Sequence, residues 1–483
     1  MRADVTGPGT VTSKLMTFLG TLALLVVATS TLAAQAPNTA ALEDEVMRHY
    51  QAVLRVDSTD PPGNESGVVA YLKQVFEREG IPVQIFQLEP NRPNLVARLK
   101  GNGSRRPLLL MAHTDTVNVD PKKWTFPPFS ATRDGGYVYG RGAVDNKHDV
   151  AVGLMTMLRL KRENVRLDRD VIFLAEAGEE GTTRVGILHM ASGHFPAIEA
   201  EYCLAEGGGV TRQGGRVKYA SVETTEKIPR AIELTARGPA GHGSIPLENN
   251  ALTHLTQAVA AAATWVPPVS LNETTAAYFK RLATISTPEE AERYRAILSP
   301  DPKVSGPADT YFRKQEPIHA SMIRSSISPT MVQAGYRVNV IPSEVRATLD
   351  VRTLPDQDPA AFLEIVKNVI NDPSVEVAWA ARDVRPGAPP ARLDSEVFRA
   401  IESNVKKHYD ALTLPTLLTG ATDMAYLRAM GMQCYGIGPA LDVEDQTRGF
   451  GAHSDQERIL ETEFQRYARF YYDIVRDVAR TRP

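Results

Sequence analysis

Apolar residues recur along the chain with two different spacings. After residue 40, a spacing of three to four positions predicts helices in ALEDEVMRHYQAVLRV (41–56) and GVVAYLKQVFEREG (67–80), the second closed by Gly80. Short continuous apolar runs predict strands in VQIFQL, NLVARL and PLLLMA. A helix, DVAVGLMTMLRLKREN, then leads into the strands DVIFLAEA and YCLAE. Strands that alternate with helices are typical of a layered α/β domain with a largely parallel sheet.

The spacing changes near residue 222. RAIELTARG and EVRATLDVRTLP alternate like amphipathic strands and flank a helix, ALTHLTQAVAAAATW, while the polar stretch 267–330 predicts no definite structure. Helices follow in AAFLEIVKNVIN and EVFRAIESNVKKHY, and a long one in DQERILETEFQRYARFYYDIVRDVA. We therefore predict an α/β-layered domain made from residues 37–221 and 354–483. An α+β domain, residues 222–353, is inserted between its two parts.

The first 36 residues follow another pattern. Arg2 and Lys14 precede the apolar run LMTFLGTLALLVVATSTLAAQA, which ends in an Ala-x-Ala site at Ala34 to Ala36. These features are typical of a secretory signal peptide, so we predict residues 1–36 to be removed and the protein to be periplasmic or secreted. A retained N-terminal anchor is the alternative. We find no later apolar run long enough to span a bilayer.

Composition narrows the class of protein further. A chain of 483 residues is too long for one ordinary core, which supports two domains. The net charge of −3 and the lack of a basic stripe with interleaved aromatic residues argue against nucleic acid binding. Cys203 and Cys434 stand in apolar, strand-like segments, so we expect buried free thiols there rather than a disulfide.

Groups that can bind metal stand at the ends of predicted strands and in adjacent turns. They are His113, Asp115, Asp145, Glu179, Glu180, Glu206 and His453. Because ligands bind outside the carboxyl ends of parallel strands, these side chains can converge. Crowded carboxylates repel one another and resist burial unless a cation neutralises them. Two imidazoles with several carboxylates suit zinc, with cobalt or manganese as substitutes.

Seven segments occur in an order that is known from one protein family. They are HTD, GRGAVDNK, EAGEEG, AEGGG, GPAGHGSIP, NVIPSEVRATLDVR and GAHSDQERI. From about Glu45 to its end, the chain resembles the di-zinc metallopeptidase and aminoacylase family, which includes carboxypeptidase G, acetylornithine deacetylase, succinyl-diaminopimelate desuccinylase and aminoacylase. The resemblance implies a catalytic α/β domain that holds two Zn²⁺ ions, and an inserted domain that acts as a lid and dimerisation surface.

The resemblance also implies a set of metal ligands. His113 would bind one metal and His453 the other, Asp145 would bridge the two, and Glu180 and Glu206 would each complete one of the two shells. Asp115 would accept the second ring N–H of His113 and so fix the tautomer of that imidazole. Such an arrangement would explain why an apolar strand ends in an imidazole and a carboxylate.

Glu179 is implied to be the general base. Adjacent side chains at the end of a strand point in different directions, so Glu180 can bind metal while Glu179 faces the attacking water. A metal-activated water has a lowered pKa, and Glu179 would take its proton and return it to the leaving nitrogen of a cleaved amide.

Further residues are implied to bind substrate. His242, between two glycines, would reach a neighbouring subunit's active site and stabilise the oxyanion. Arg352 would pair with a substrate carboxylate through its planar guanidinium, and Asn339 would donate nearby. Gly420 and Thr422 could offer backbone donors in a Gly-rich loop, although an ordinary helix N-terminus would also explain that loop.

Two departures from the family pattern stand out. His148 follows the NK sequence where many relatives have glycine, and we interpret it as a helix-surface residue rather than a further donor near Asp145. The stretch 267–330 exceeds the compact version of the inserted domain. Such inserts occur in the branch that resembles Gly-X carboxypeptidase and the secreted N-acyl-amino-acid hydrolases. A homodimer is the default assembly, but the long insert could cover the surface it needs.

These observations lead to one functional hypothesis and two rivals. We predict an exported dinuclear zinc hydrolase that cleaves the amide bond of N-acyl amino acids or short peptides with a free carboxylate. One rival is an aminopeptidase or dipeptidase that needs a free α-amine. The other is a catalytically inactive periplasmic binding protein, which the complete ligand set argues against.

Overall fold

The computed structural model describes residues 9–10, 39–382 and 384–481. The predicted signal peptide, residues 1–36, therefore lies outside the described residues except for positions 9 and 10. From Glu43 onward the chain forms one compact unit. In the ranges described, no helix has the combined length and apolar character needed to cross a membrane.

The helices and strands largely follow the apolar periodicity of the chain. In chain order the strands are β1 (Val83–Gln87), β2 (Pro93–Leu99), β3 (Leu108–His113), β4 (Thr132–Asp134), β5 (Tyr137–Tyr139), β6 (Val171–Glu176), β7 (Tyr202–Ala205), β8 (Gly209–Gln213), β9 (Arg216–Glu226), β10 (Ile228–Arg237), β11 (Gly241–His242), β12 (Ser326–Gln333), β13 (Val340–Ile341), β14 (Glu344–Thr353), β15 (Val375–Trp379), β16 (Thr413–Leu418), β17 (Gln433–Gly436), β18 (Ala440–Asp442) and β19 (Arg458–Leu460). The α-helices are α1 (Thr39–Leu54), α2 (Ser66–Arg78), α3 (Lys147–Arg162), α4 (Ile187–Gly193), α5 (Ala251–Thr264), α6 (Glu273–Leu282), α7 (Pro288–Ala296), α8 (Pro302–Gln315), α9 (Pro317–Met322), α10 (Pro359–Ile370), α11 (Glu396–Tyr409), α12 (Met424–Ala429), α13 (Val443–Thr447) and α14 (Glu461–Ala479).

The main sheet has the strand order β1-β2-β6-β3-β7-β17-β9-β8-β18, and β16 pairs with β9. Its centre, β6-β3-β7-β17, is parallel, whereas the flanks contain antiparallel pairs such as β1–β2 and β8–β9. The sheet is therefore mixed rather than largely parallel, because short hairpin connections join strands at both flanks. All residues of β3 and β6 are buried, so helices cover both faces of the parallel centre.

The small sheet has the order β12-β14-β10-β15 and carries helices α5 and α10 on one face. Its strands lie between Ile228 and Trp379, so this part of the chain extends beyond the predicted limit at residue 353. It also starts later than residue 222, because β9 stays in the main sheet as far as Glu226. The small sheet extends beyond residue 353 because α10 packs on it and β15, which follows α10, pairs with β10.

The stretch 267–330, for which the sequence predicted no structure, forms the four helices α6 to α9 and the start of β12. Asn272 and Thr287 close capping boxes at the first turns of α6 and α7, which accounts for helices in so polar a segment. Their aromatic core, with Phe279 stacked on Phe312, packs against Leu414 of β16. The insert thus lies on the main sheet.

Two smaller predictions can now be judged. The C-terminal helix begins at Glu461 rather than Asp455, because Arg458–Leu460 forms β19 and pairs with β5. Cys203 and Cys434 are buried free thiols, as predicted, and face each other across β7 and β17.

Candidate metal centre

Three of the predicted ligands follow the parallel strands at one edge of the main sheet. His113 is the last residue of β3, and Glu206 directly follows β7. β6 ends earlier than predicted, at Glu176, and a turn through Gly178 at φ 77° carries the chain to Glu180. Because these strands are parallel neighbours, their carboxyl ends bring the three side chains together.

Two loops supply the remaining ligands. Asp145 lies between β5 and α3, and His453 lies in the loop that precedes β19. The backbone of His453 is left-handed, with φ 62°, a conformation that few residues other than glycine adopt. This turn directs an imidazole from the C-terminal part of the chain toward the strand ends.

The five ligand groups form a linked chain of short contacts. The two carboxylate oxygens of Asp145 are divided between the imidazoles: Oδ1 lies 3.1 Å from Nε2 of His113, and Oδ2 lies 3.1 Å from Nε2 of His453. His113 Nε2 is also 3.3 Å from Glu206 Oε2, and His453 Nε2 is 2.9 Å from Glu180 Oε1. Two His–Glu pairs thus share one central carboxylate.

These separations suit bound divalent cations. Zinc–ligand bonds of about 2.0–2.2 Å in a tetrahedral shell put neighbouring ligand atoms about 3.4 Å apart. Ligand atoms of His113, Asp145 and Glu180 lie within 4.8 Å of one another, as do those of His113, Glu179 and Glu206. The donor set of imidazole nitrogen and carboxylate oxygen is one that such cations prefer. The residues therefore fit a two-metal site.

Asp115 supports the first imidazole. Nδ1 of His113, the ring nitrogen that points away from Asp145, lies 3.2 Å from the backbone carbonyl oxygen of Asp115 and 3.4 Å from its Oδ1. The carboxylate of Asp115 accepts the backbone N–H groups of Glu179 and Glu180, at 3.2 and 2.9 Å. Asp115 is fully buried, so one residue holds both the imidazole and the acidic turn after β6 in place.

Glu457 links the two ligand loops, and the sequence analysis did not single it out. Its buried carboxylate accepts hydrogen bonds from Arg141 Nη1 at 2.8 Å and from the backbone of Gly142 and Val144 at 3.1 and 2.7 Å. Arg141 in turn donates to the carbonyl of Ser454, which follows His453. The motif "HSDQERI" contains Glu457, but its partners lie more than 300 residues away in the sequence.

Buried negative charge dominates the electrostatics of this edge. Burial raises the pKa of Glu206 to about 7 and that of Asp423 to about 6. Burial also acts to raise the pKa of Asp145, but hydrogen bonds from His113 and His453 hold it well below its usual range. Hydrogen bonds to Asp145 and Glu180 raise the pKa of His453 to about 10. Each side chain thus depends on opposite charge nearby.

Glu179 lies beside this cluster with a different partner. Arg385 donates through Nη2 to Glu179 Oε1 at 2.7 Å and to Asp423 Oδ1 at 3.1 Å. Burial, with the charges of Glu206 and Asp423, raises the pKa of Glu179 well above its usual value. The sequence analysis did not identify Arg385, because it stands in a Pro- and Gly-containing segment without helical or strand periodicity.

Two of the predicted substrate residues lie together near the small sheet. His242 in β11 pairs with Val340 in β13, and the backbone N–H of Gly243 donates to the carbonyl of Asn339 at 2.9 Å. Both His242 and Asn339 are exposed. Arg352 is on β14, and its guanidinium makes a bidentate pair with Asp350 at 2.8 and 3.2 Å. The substrate roles assigned to these residues remain predictions.

The Gly-rich loop requires one correction. Gly420 lines the cavity of about 280 Å³ in front of the metal ligands, but both donors of Thr422 are engaged elsewhere. Its backbone N–H and its hydroxyl donate to the carboxylate of Glu226 at 3.1 and 2.7 Å. The predicted role of Thr422 as a donor to substrate is therefore wrong for this arrangement, because a buried carboxylate already accepts both bonds.

The interpretation of His148 was also wrong. The residue lies in the first turn of α3, yet its side chain is buried and packs against Tyr467 of α14. α3 is enclosed by the sheet and by α14, so a helix position that would be exposed on a surface helix is covered here. His148 also lines the cavity of the metal ligands.

The fold and the convergent donors are those of a metal-dependent hydrolase of the α/β class. Residues 109–477 match peptidase family M20/M25/M40, and the chain belongs to this family. It is a metal-dependent hydrolase of the peptidase and aminoacylase type. It is 28% identical over 399 residues to "Probable carboxypeptidase S-like 2" of Dictyostelium discoideum, covering 80% of this chain and 74% of the relative. It is 26% identical over 395 residues to aminoacylase-1 of Mus musculus, covering 81% and 86%.

Solved structures share the fold. A metallo-carboxypeptidase of the M20 family from Sulfolobus solfataricus superposes with a TM-score of 0.68 at 20% identity, covering 90% of this chain and 99% of the other. A Bacillus subtilis protein described as a dinuclear metal-binding peptidase of the family gives a TM-score of 0.57 at 13% identity, with coverage of 91% and 99%. The α/β-layered architecture predicted from the sequence is therefore confirmed, with a mixed sheet in place of the largely parallel one expected.

Glu457→Gln should weaken metal binding without unfolding the protein. An amide cannot accept all three hydrogen bonds that fix the Asp145 loop, and loss of such supporting contacts typically costs 10- to 100-fold in metal affinity. The measurement is calorimetric titration of Zn²⁺ into metal-stripped protein. Glu461→Gln, whose carboxylate pairs with Arg133 at the surface, is the matched control. An unchanged Zn²⁺ affinity in Glu457→Gln would show that the loops of Asp145 and His453 keep their positions without Glu457.

Proposed function

We propose that the protein hydrolyses the amide bond of N-acyl amino acids or short peptides that carry a free carboxylate. The observation that carries the proposal is the division of the Asp145 carboxylate between two His–Glu pairs, with Glu179 beside them. Two divalent cations held by these residues would activate water and polarise the scissile carbonyl. Relatives named as aminoacylase and carboxypeptidase S-like support the substrate class.

Glu179 acts as the general base in this proposal. It accepts a proton from the attacking water and delivers it to the leaving nitrogen. Its position suits this role, because Glu179 lies beside the metal ligands and is held there by a hydrogen bond from Arg385. Asp115 keeps Glu179 near His113 by accepting its backbone N–H. Arg385 and Asp423 fix the direction in which the carboxylate of Glu179 points.

Zinc and export belong to the same proposal. Imidazole nitrogens with carboxylate oxygens suit Zn²⁺, and cobalt or manganese can substitute for it. The basic and apolar segment ending at Ala36 supports a periplasmic or secreted protein. Metal analysis of the protein purified from an exported fraction tests both points.

Glu179→Ala should abolish turnover and keep the metals. Removal of a general base typically costs 10²–10⁴-fold in rate, whereas the five ligand groups stay in place. We expect a fall in kcat of at least that size on N-acetyl-L-leucine, with the metal content of the wild type by elemental analysis. Glu180→Ala is the contrast, since it should lose metal together with activity. A Glu179→Ala protein that turns over normally would remove the assigned role.

Recognition of the substrate carboxylate can be assigned by two arginine variants. We expect Arg352→Ala to raise KM for N-acetyl-L-leucine at least tenfold and to leave KM for its amide nearly unchanged, because a charged hydrogen bond contributes about 1.5–3 kcal/mol. Arg385→Ala should lower kcat on both compounds, since Glu179 loses its partner. If only Arg385→Ala distinguishes acid from amide, the carboxylate role passes to Arg385. If neither does, the free-carboxylate requirement fails.

We propose, in addition, a homodimer formed through the small sheet. β12 is an edge strand whose residues from Ser328 onward are exposed half or fully, and Val332 and Val338 are 58% and 103% exposed. An open strand edge with exposed apolar side chains favours pairing with a second copy. His242 is in β11, and Asn339 directly precedes β13, so the dimer would bring His242 toward the partner's site.

Complementation between two inactive variants tests this assembly. Mixing His242→Ala with Glu179→Ala under conditions that re-pair subunits should restore activity to about one quarter of wild-type sites, because half of the random dimers are mixed and each has one complete site. If His242 acted within its own chain, no mixture would be active. Val332→Lys should lower the mass in sedimentation equilibrium to that of a monomer, while Ile318→Lys, exposed outside the patch, should not.

A further inference from the structure

A second cavity lies directly beside the cavity of the metal ligands. It measures about 320 Å³ and is bounded by β8, β18, β19 and the start of α13. Four residues line both cavities: Val144, Gly208, Pro439 and Leu441. Val144 precedes Asp145, so the second cavity adjoins the metal centre. We call it the side cavity.

One part of the wall between the two cavities, at Gly208, is backbone alone. A Cβ atom on Gly208 would lie 2.2 Å from the carbonyl oxygen of Gly436 and 2.6 Å from that of Ser221, so no side chain can be accommodated there. A Cβ on Gly207, which has φ 103°, would lie 1.8 Å from Glu223 Oε2. The motif AEGGG thus supplies a ligand in Glu206 and then a part of the wall without side chains. Because Gly208 lines both cavities, only main-chain atoms lie between them at this position, and a substrate over the metals lies close to the side cavity.

Nine of the nineteen residues that line the side cavity are apolar, among them Val210, Leu441, Val443, Phe450 and Ile459. Leu441 and Val443 are 38% and 39% exposed, so part of this apolar lining is open to a ligand. Such a lining favours a hydrocarbon group over a peptide backbone, which would leave its polar groups unpaired.

The charges of the side cavity exclude a carboxylate. Its single cation among the lining residues, Arg458, is bound by both oxygens of Asp445 at 2.6 and 3.1 Å and stacks on Tyr137 and Phe450. A second acidic residue, Asp442, also lines it. The amino-acid half of the substrate, which carries a carboxylate, would be repelled.

The position of Glu179 also indicates that the acyl half of the substrate, and not the amino-acid half, lies toward the side cavity. The base must reach the leaving nitrogen, so the amino-acid half lies on its side of the metals. Glu179 lines the metal cavity but not the side cavity. The acyl half, on the other side of the scissile carbonyl, therefore points toward Val144 and the side cavity.

We infer that the side cavity is the acyl-group subsite and that the enzyme prefers N-acyl amino acids with a medium-length aliphatic chain. This inference rests on the proposed function. A methylene group is about the size of a water molecule, which occupies about 30 Å³. A cavity of about 320 Å³ can therefore hold an acyl chain of about six to ten carbons. Each buried methylene should raise kcat/KM by about two- to fourfold until the cavity is full.

The experiment uses the zinc-loaded full-length enzyme and N-acyl-L-leucines from acetyl to dodecanoyl. We expect kcat/KM to rise with chain length and to level off between hexanoyl and decanoyl. Val443→Asp, which places a charge at the mouth of the side cavity, should reduce the octanoyl-to-acetyl ratio of kcat/KM at least tenfold. Val304→Asp is the matched control, because Val304 is 47% exposed on the remote helix α8 and should leave the ratio unchanged.

The outcomes separate the two proposals. Hydrolysis of every substrate with no gain from acetyl to octanoyl overturns the acyl subsite and leaves the proposed function intact. Hydrolysis of none overturns the proposed function, and calorimetric binding of N-octanoyl-L-leucine and N-acetyl-L-leucine then decides the subsite. Tighter binding of the octanoyl compound that Val443→Asp weakens supports it, and equal binding overturns it. If Val443→Asp does not fold, the chain-length series of the wild type decides alone.

Discussion

Carboxylates crowded at one buried sheet edge impose the constraint on which the rest of this structure depends. Asp145, Glu180 and Glu206 meet there, and Glu179 and Asp423 lie close by. These side chains are at most partly exposed, so water screens their charges incompletely and each carboxylate needs a cation or a hydrogen-bond donor. Two imidazoles, Arg385 and several backbone N–H groups meet part of this need, and divalent metal ions would meet the remainder.

The strand order of the main sheet explains why these carboxylates lie close together. Three parallel neighbours, β6, β3 and β7, end at the same edge, so consecutive ligand segments arrive there without further shaping. The two loop ligands, Asp145 and His453, need more support because a loop does not hold its own direction, and Glu457 provides it together with Arg141. Asp115 gives similar support to the turn after β6.

The remaining parts of the chain shape access to this edge. The helical insert α6 to α9 packs on β16 of the main sheet, and the outer edge of β12 in the small sheet is exposed. On the other side, Val144, Gly208, Pro439 and Leu441 lie between the metal cavity and a second, adjoining cavity.

The sequence by itself determined the elements and the candidate ligands. Apolar periodicity located most helices and strands, since it records which side of an element is buried, and α11 was predicted with its observed limits, Glu396–Tyr409. The ligand residues could be identified because each stands in a short segment whose order along the chain resembles that of one family. Apolar periodicity and short motifs are local properties of the chain, so they can be seen in the sequence alone.

Only the tertiary structure decided the partners of those residues. Periodicity indicated a surface position for His148, but α3 is covered on all sides by elements that come from distant parts of the sequence. Thr422 was expected to face substrate, yet the carboxylate of Glu226, 196 residues away, accepts both of its donors. Arg385 and Glu457 gave no signal, because a hydrogen bond over 200 or 300 residues leaves no trace in local spacing. A buried polar group must find a partner, but only the folded chain determines which one.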